Sequence, residues 1–426
     1  MKIAAGVTAQ SVAGRSHVSS SGGKESVARK VLLIDLDDLG RDQLSNAMSS
    51  GGASNIAALI ASGRSWNTFW AAPNCSLFRA RALSGADAYR PENYVGRLVV
   101  PADNFDGPAG AWLPSGLPGQ KVKIGKWHTS NSPTFPVHLI TQGWDRFVGL
   151  LSGLLIGGTG YYNWKEYDAD SAGVVITQQT QHNTSRVAYL TLSELAAGTE
   201  LIHASFSAIH SPFELPPNDE PLGKVYQGTT DVRIRSDMLF HLDYWLGVVI
   251  QDAVAKGYVV IVACDNGSSD AGKNSYKETG NNTPLFACGT GVVPGVSDRL
   301  IAATDLWATV RRLRGDEVTL APDSVDFCDD LVGWSSIATP RQFLTLDWYH
   351  AVGAPPSPTT PWSRMIRDAR WKYVDQKMLP SGTSGNKIEA LHDLDGDPSE
   401  LVNLLDAPLS SEASIAHALL LANLPQ

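Results

Sequence analysis

Gly257-Tyr-Val-Val-Ile-Val-Ala-Cys-Asp-Asn-Gly267 is the stretch that decides the fold. Its β-branched centre reads as a buried strand, and Asp-Asn-Gly closes it with turn residues. Three further runs have the same build: Lys30-Val-Leu-Leu-Ile-Asp35, Lys121-Val-Lys-Ile-Gly-Lys-Trp-His128 and Ile202-His-Ala-Ser-Phe-Ser-Ala-Ile-His210. Helical patterns lie between them, at Ser54–Ser62, opening at Arg79–Ser84, and with i, i+3, i+4 apolar spacing at Ser185–Ala197 and Ser236–Ala255. Strands alternating with helices predict an α/β fold: a large, mostly parallel central sheet flanked by helices. Ligands of such sheets bind at the carboxyl ends of the strands. Three of the four runs end in Asp or His, so the chemistry is expected there.

The remaining sequence bounds the reading. With 426 residues, 43% hydrophobic and 18% charged, the chain has a globular composition and room for one large domain with an appendage. The net charge of −9 argues against a general nucleic-acid binder, yet a local group of cations can still hold a small anion. The four cysteines, Cys75, Cys264, Cys288 and Cys328, form neither a disulfide framework nor a C-x-x-C zinc pair. Residues 1–28, rich in Ser and Gly, read as a flexible tail without a signal-peptide core, and no apolar run is long enough to span a membrane. A cytoplasmic location with no membrane partner is expected. The Pro-rich run at 354–361 predicts a linker, dividing residues 29–350 as the catalytic domain from a smaller C-terminal α+β subdomain at 351–426.

Asp37 and Asp38 follow the first strand, and Asp265 and Asn266 follow the strongest one. Each pair alone also suits a polar turn; together they offer four hard oxygen donors of the kind that bind Ca²⁺ or Mg²⁺. Cys75 precedes Arg79 by one helical turn, in Ala72-Pro-Asn-Cys-Ser-Leu-Phe-Arg79. A helix starting near Cys75 would set its sulfur at the positive end of the dipole, beside a guanidinium suited to a tetrahedral oxyanion. A buried structural cysteine is the other reading of this residue. Lys126 and His128 share one face at a strand end, His210 ends another strand, and Lys273 follows Asp265 in the same loop. These four groups read as an oxyanion cradle. Trp66, Trp70, Trp127 and Trp164 read either as pocket lining or as core.

This set resembles the sulfatases of the alkaline-phosphatase superfamily. The resemblance is carried in family order by VLLIDLDDLG (31–40), CSLFRARALSG (75–85), GKWHT (125–129), QGWDRFVG (142–149), SAIHSPFELP (207–216), CDNGSSDAGK (264–273), TPLFACGTG (283–291), ATDLWATV (303–310) and HDLDGDPSELVNLL (392–405). It implies an alkaline-phosphatase-like fold and a divalent metal, usually Ca²⁺, with Mg²⁺ or Mn²⁺ as alternatives, at Asp37, Asp38, Asp265 and Asn266. It implies that Cys75 is the cysteine oxidised to formylglycine, the nucleophile, and that Arg79 orients it. Lys126, His128, His210 and Lys273 match the residues that hold and protonate the ester, with Lys277 a possible substitute for Lys273. The substrate would be a small anionic ester, an aryl or small alkyl sulfate, and a formylglycine-generating enzyme would be a partner during maturation.

The sequence departs from the family at one informative place. The modification signature is Cys-x-Pro-x-Arg or Cys-x-Ala-x-Arg, and Leu77 stands at its centre here. Proline there favours the extended peptide that the modifying enzyme reads. Three states of residue 75 follow: conversion to formylglycine, direct action as a thiolate, or oxyanion binding without turnover. The competing functions are a phosphodiesterase or phosphonate monoester hydrolase on the same scaffold and a non-catalytic oxyanion-binding homologue.

Overall fold

The computed structural model describes residues 28–87, 112–129, 139–152, 160–218, 225–270, 272–316, 323–335, 339–349, 362–377 and 387–424. Nearly all of the expected tail at 1–28 and all of the Pro-rich run at 354–361 lie outside these residues.

The four runs form strands β1 (Val31–Leu36), β3 (Lys121–Lys126), β7 (Leu201–Phe206) and β8 (Val259–Cys264). All four are buried from end to end, as strands covered by helices on both faces must be. They join β2 (Arg64–Trp70), β4 (Arg146–Leu150), β5 (Trp164–Asp170), β6 (Gly173–Gln179), β9 (Leu285–Gly289) and β10 (Gly295–Ala302). The resulting ten-stranded sheet runs β10-β2-β9-β8-β1-β7-β3-β4-β5-β6. Its centre, β8-β1-β7-β3-β4, is parallel. The antiparallel pairs β8-β9, β2-β9, β4-β5 and β5-β6 make the whole a mixed sheet.

Side chains alternate across the central strands, and each face has its own core. Val31 and Leu33 belong to the cluster under helix α3 (Cys75–Ser84) and helix Asp305–Leu313. Leu32, Ile34 and Leu36 belong to the cluster under α2 (Ser54–Ser62) and helices Asn183–Ala197 and Asp231–Ala255. Trp66, Trp70, Trp127 and Trp164 are buried core residues.

A second sheet of four antiparallel strands, β11 (Leu344–Tyr349), β12 (Trp362–Arg367), β13 (Trp371–Lys377) and β14 (Lys387–Asp393), follows. Leu344, Met365, Val374 and Ala390 join the core of the large sheet. Ile366, Tyr373 and Leu391 pack with the C-terminal helix Ser411–Asn423. A buried ion network ties the two sheets together. Glu278 accepts from Arg367 Nη1 at 2.5 Å and Trp70 Nε1 at 2.9 Å, and Lys372 Nζ lies 3.1 Å from Glu278 and 2.7 Å from Glu400. Among the described residues, no helix is long and apolar enough to cross a membrane.

Candidate active site

The parallel centre brings the ends of β1, β7, β3 and β8 to one edge. Beyond β1 the backbone turns at Asp38, whose φ is 58°; His128, just past β3, also has a φ of 58°. A left-handed backbone is costly for side-chain-bearing residues and is held here by surrounding bonds. Gly125 lets β3 approach β7, because a Cβ there would lie 2.0 Å from the Ser205 carbonyl oxygen. The turn after β7 is tied to β1 by Asp37 N–H to Ala208 O (3.2 Å) and Ile209 N–H to Asp37 O (2.8 Å), which carries His210 to the site.

Helix α3 begins at Cys75, earlier than the sequence pattern indicated. Asn74 caps it, its side chain accepting from Leu77 N–H at 3.1 Å. Every residue of α3 is buried, so no amphipathic stripe marks its first turn. Cys75 Sγ lies at the helix N-terminus, 3.2 Å from His128 Nδ1. Arg79 reaches forward: Nη1 donates to Lys126 O at 2.9 Å, and Nη2 lies 3.4 Å from Asp265 and 3.6 Å from Asp37.

All ten residues singled out from the sequence converge on this edge. Lys126 Nζ is bonded to Asp37, and Lys273 Nζ is bonded to Asp38. Asn266 Nδ2 donates to Asp38 Oδ1 at 2.7 Å, and Asp38 N–H donates to Asp265 Oδ1 at 3.2 Å. His210 Nε2 is 3.9 Å from Asp38 Oδ2. Asn274 N–H donates to Pro73 O at 2.8 Å, which ties the loop carrying Lys273 to the residues just before α3. Lys277, its rival in the sequence, instead starts the short helix Glu278–Asn281.

Charge crowding shapes the protonation of the site. Burial works to raise the Asp37 carboxyl, but Lys126, His210 and Arg79 outweigh it and hold it well below the usual range. Asp265 goes the other way: burial, Asp37 and Cys75 push it well above an ordinary carboxyl. Burial, with Lys126 and Arg79 nearby, drives His128 well below the usual imidazole value, so it is neutral. Burial opposes charge on Lys126 and Lys273, yet Asp37 and Cys75 for Lys126, and Cys75 and Asp38 for Lys273, leave both raised.

The donor set fits a cation. Asp37 Oδ1 and Asn266 Oδ1 are buried without any hydrogen-bond partner. Candidate ligand atoms of Asp37, Asp38 and His210, and of Asp37, Cys75 and Asp265, each lie within 4.8 Å of one another. A hard divalent ion among Asp37, Asp38, Asp265 and Asn266 would satisfy the two orphan oxygens and offset the burial and repulsion that raise the Asp265 carboxyl.

No protein-family model matches the sequence, and no curated protein matches it. Solved structures do. PsFucS1 sulfatase from Pseudoalteromonas sp. superposes with a TM-score of 0.67 at 19% identity, over 94% of this chain and 92% of that one. BT33336S-sulf, described from a Bacteroides thetaiotaomicron locus for glycosaminoglycan metabolism, gives 0.70 at 16% identity, over 93% and 99%. BT4656, solved with its substrate D-glucosamine-2-N,6-O-disulfate, gives 0.68 at 14% identity, over 93% and 96%. The chain has the fold of these solved sulfatase structures.

Within this sulfatase fold, several polar residues escaped the sequence reading. Asp35, Lys123 and His203 lie buried directly behind Arg79. For Asp35 and His203 the signal was a single titratable residue in an otherwise uncharged strand, whereas Lys123 shares its strand with Lys121 and Lys126. Tyr161 Oη bridges the carbonyl oxygens of Ser207 (2.8 Å) and His210 (2.9 Å), and so braces the His210 turn.

Proposed function

We propose that this protein is a metal-dependent hydrolase of sulfate esters, using residue 75, as formylglycine, for the nucleophile. The observation that carries the reading is the meeting of Cys75, Arg79, Lys126, His128, His210 and Lys273 with the acid-amide quartet at one strand edge, across more than two hundred residues of sequence.

The roles follow from position. Asp37, Asp38, Asp265 and Asn266 would hold the divalent ion, taken as Ca²⁺ from the family resemblance, and when bound it would polarise the sulfuryl oxygens and favour the ionised nucleophile. Arg79 and Lys126 fix the nucleophile and hold a sulfate oxygen through charge-assisted hydrogen bonds. His128, kept neutral by burial and 3.2 Å from Sγ, is the base for a proton on residue 75. His210 or Lys273, both at Asp38, would protonate the departing alcohol oxygen. Positioning and charge stabilisation dominate such a transfer, as they do for phosphoryl groups.

Leu77 gives the second reading its support. If the Cys-Ser-Leu-Phe-Arg segment escapes modification, residue 75 stays a thiol, and the site acts on phosphate diesters or phosphonates or only binds an oxyanion. Turnover of matched 4-nitrophenyl sulfate and bis(4-nitrophenyl) phosphate, with Ca²⁺, and the mass of the peptide spanning residue 75 decide between these. We expect an aldehyde at residue 75 and preference for the sulfate. Diesterase activity with background sulfatase activity reverses the order; an intact thiol with no turnover of either ester leaves an oxyanion binder. Because BT4656 was solved with a disulfated glucosamine, sulfated sugars belong in the substrate panel.

A further inference from the structure

Asp35 is fully buried on the central strand, in a run, Val31–Leu36, that is otherwise apolar. An aliphatic residue would sit there at no desolvation cost, whereas a buried carboxylate is costly unless its bonds are made for it. Those bonds come from the two strands on one side and fall on Oδ2, while Oδ1 has no hydrogen-bond partner. Asp35 lies opposite Ser205 in β7; His203, two residues earlier in β7, lies opposite Lys123 in β3. By period-two alternation the residues at 31, 33 and 35 face the helix layer that carries α3.

The bonds run in one direction. Lys123 Nζ donates to Ser205 Oγ, which leaves the Ser205 hydroxyl hydrogen for Asp35 Oδ2 at 2.7 Å. His203 Nε2 donates to the same oxygen at 2.6 Å, and its Nδ1 has no partner. The ring is therefore the neutral Nε2–H form, and burial holds its pKa down, at about 4. The third group at Asp35 Oδ2 is Arg79 Nη1, at 3.4 Å.

Arg79 thus touches three carboxylates, Asp35, Asp37 and Asp265. Two of them belong to the proposed cation quartet and would share their charge with the ion. Asp35 lies outside the quartet, so it remains an anchor for the guanidinium in every state of the site. We propose that Asp35, oriented by His203 and by the Lys123–Ser205 pair, is a positioning residue that fixes Arg79 and, through Arg79, the group at position 75. The inference rests on the sulfate-ester reading above.

The test is a double-mutant cycle in full-length protein with Ca²⁺, assayed on whichever of the two nitrophenyl esters wild type turns over. Asp35→Asn is expected to lower kcat by about 30-fold while KM stays within about threefold. Calcium affinity, measured by titration calorimetry, should stay within about threefold of wild type, because Asp35 is not a cation donor. In an Arg79→Lys background the same change should cost less than about threefold, since its effect passes through Arg79. His203→Leu should lower kcat by about tenfold, and His203→Gln, which keeps a donor, should recover most of that loss. If Asp35→Asn fails to fold, the His203 pair carries the test. Full additivity with Arg79→Lys, equal activity of the two His203 variants, or loss of calcium binding in Asp35→Asn overturns the positioning role while leaving the sulfate-ester reading intact. A wild type that turns over neither ester overturns that reading and the role with it.

Discussion

Two clusters of buried polar groups lie on opposite faces of the large sheet and differ in what they leave unpaired. At the strand edge under α3, the unpartnered atoms include Asp37 Oδ1 and Asn266 Oδ1, set among four carboxylates and three cations. At the start of helix Asn183–Ala197, they are both ring nitrogens of His182, both amide atoms of Asn183 and Thr184 Oγ1. His182 stacks on Tyr161 with ring centroids 5.1 Å apart and meets His241 edge-on at 5.0 Å. The first cluster is charged, and its orphan oxygens point to a cation. The second is neutral, and water is enough to satisfy it. Buried polarity alone therefore does not mark a candidate site; carboxylates crowded with cations beside a candidate nucleophile do.

The contrast is tested most severely at the proposed cation quartet. Asp265→Ala should abolish calcium binding and lower turnover by at least about 10³-fold. The two losses should coincide, because Asp265 is a proposed donor to the cation and also holds Arg79 and the Asp38 backbone beside it. Full activity in a metal-stripped Asp265→Ala protein would break the distinction between the clusters. Cys75→Ser comes next. Serine replaces the thiol with a hydroxyl of far lower acidity, and turnover should fall by at least about 10²-fold with folding unchanged. An unchanged rate would remove residue 75 from the mechanism and leave His128 without a proton to move.

The sequence revealed the charged cluster far better than the neutral one, for physical reasons. The acids at the ends of β1 and β8 follow uninterrupted apolar runs, so both strand and donor were visible. Lys273 and Lys277 could not be separated, because both lie in a loop without period; the choice is made by Asn274 bonding to Pro73. The start of α3 was hidden because burial on all sides erases amphipathicity. Strand β2, Arg64-Ser-Trp-Asn-Thr-Phe-Trp70, has polar residues that break its apolar pattern, and β5, Trp-Lys-Glu-Tyr-Asp-Ala-Asp, is crowded with charge. Asp35, Lys123 and His203 could have been read from strand parity, since Asp35 shares its phase with Asp37. His182, Asn183 and Thr184 look like an ordinary polar helix start, and only their burial distinguishes them.

The neutral cluster should give the smallest effect. Burial, with His241 adjacent, keeps His182 well below the usual imidazole value, so the folded protein holds it uncharged. The unfolded chain binds a proton there once the pH falls below about 6.5. Below that point the unfolded state carries the extra proton, so stability declines as the pH drops and is recovered as it rises. One such group contributes at most about 1.4 kcal/mol per pH unit. His182→Phe keeps an aromatic face for Tyr161 and has nothing to titrate. Urea midpoints between about pH 7 and pH 5 should fall less steeply in His182→Phe than in wild type, with kcat at neutral pH within about twofold. A large loss of kcat in a variant of undiminished stability would make this second cluster part of the reaction through Tyr161 and the His210 turn, and the line drawn between the two clusters would have to move.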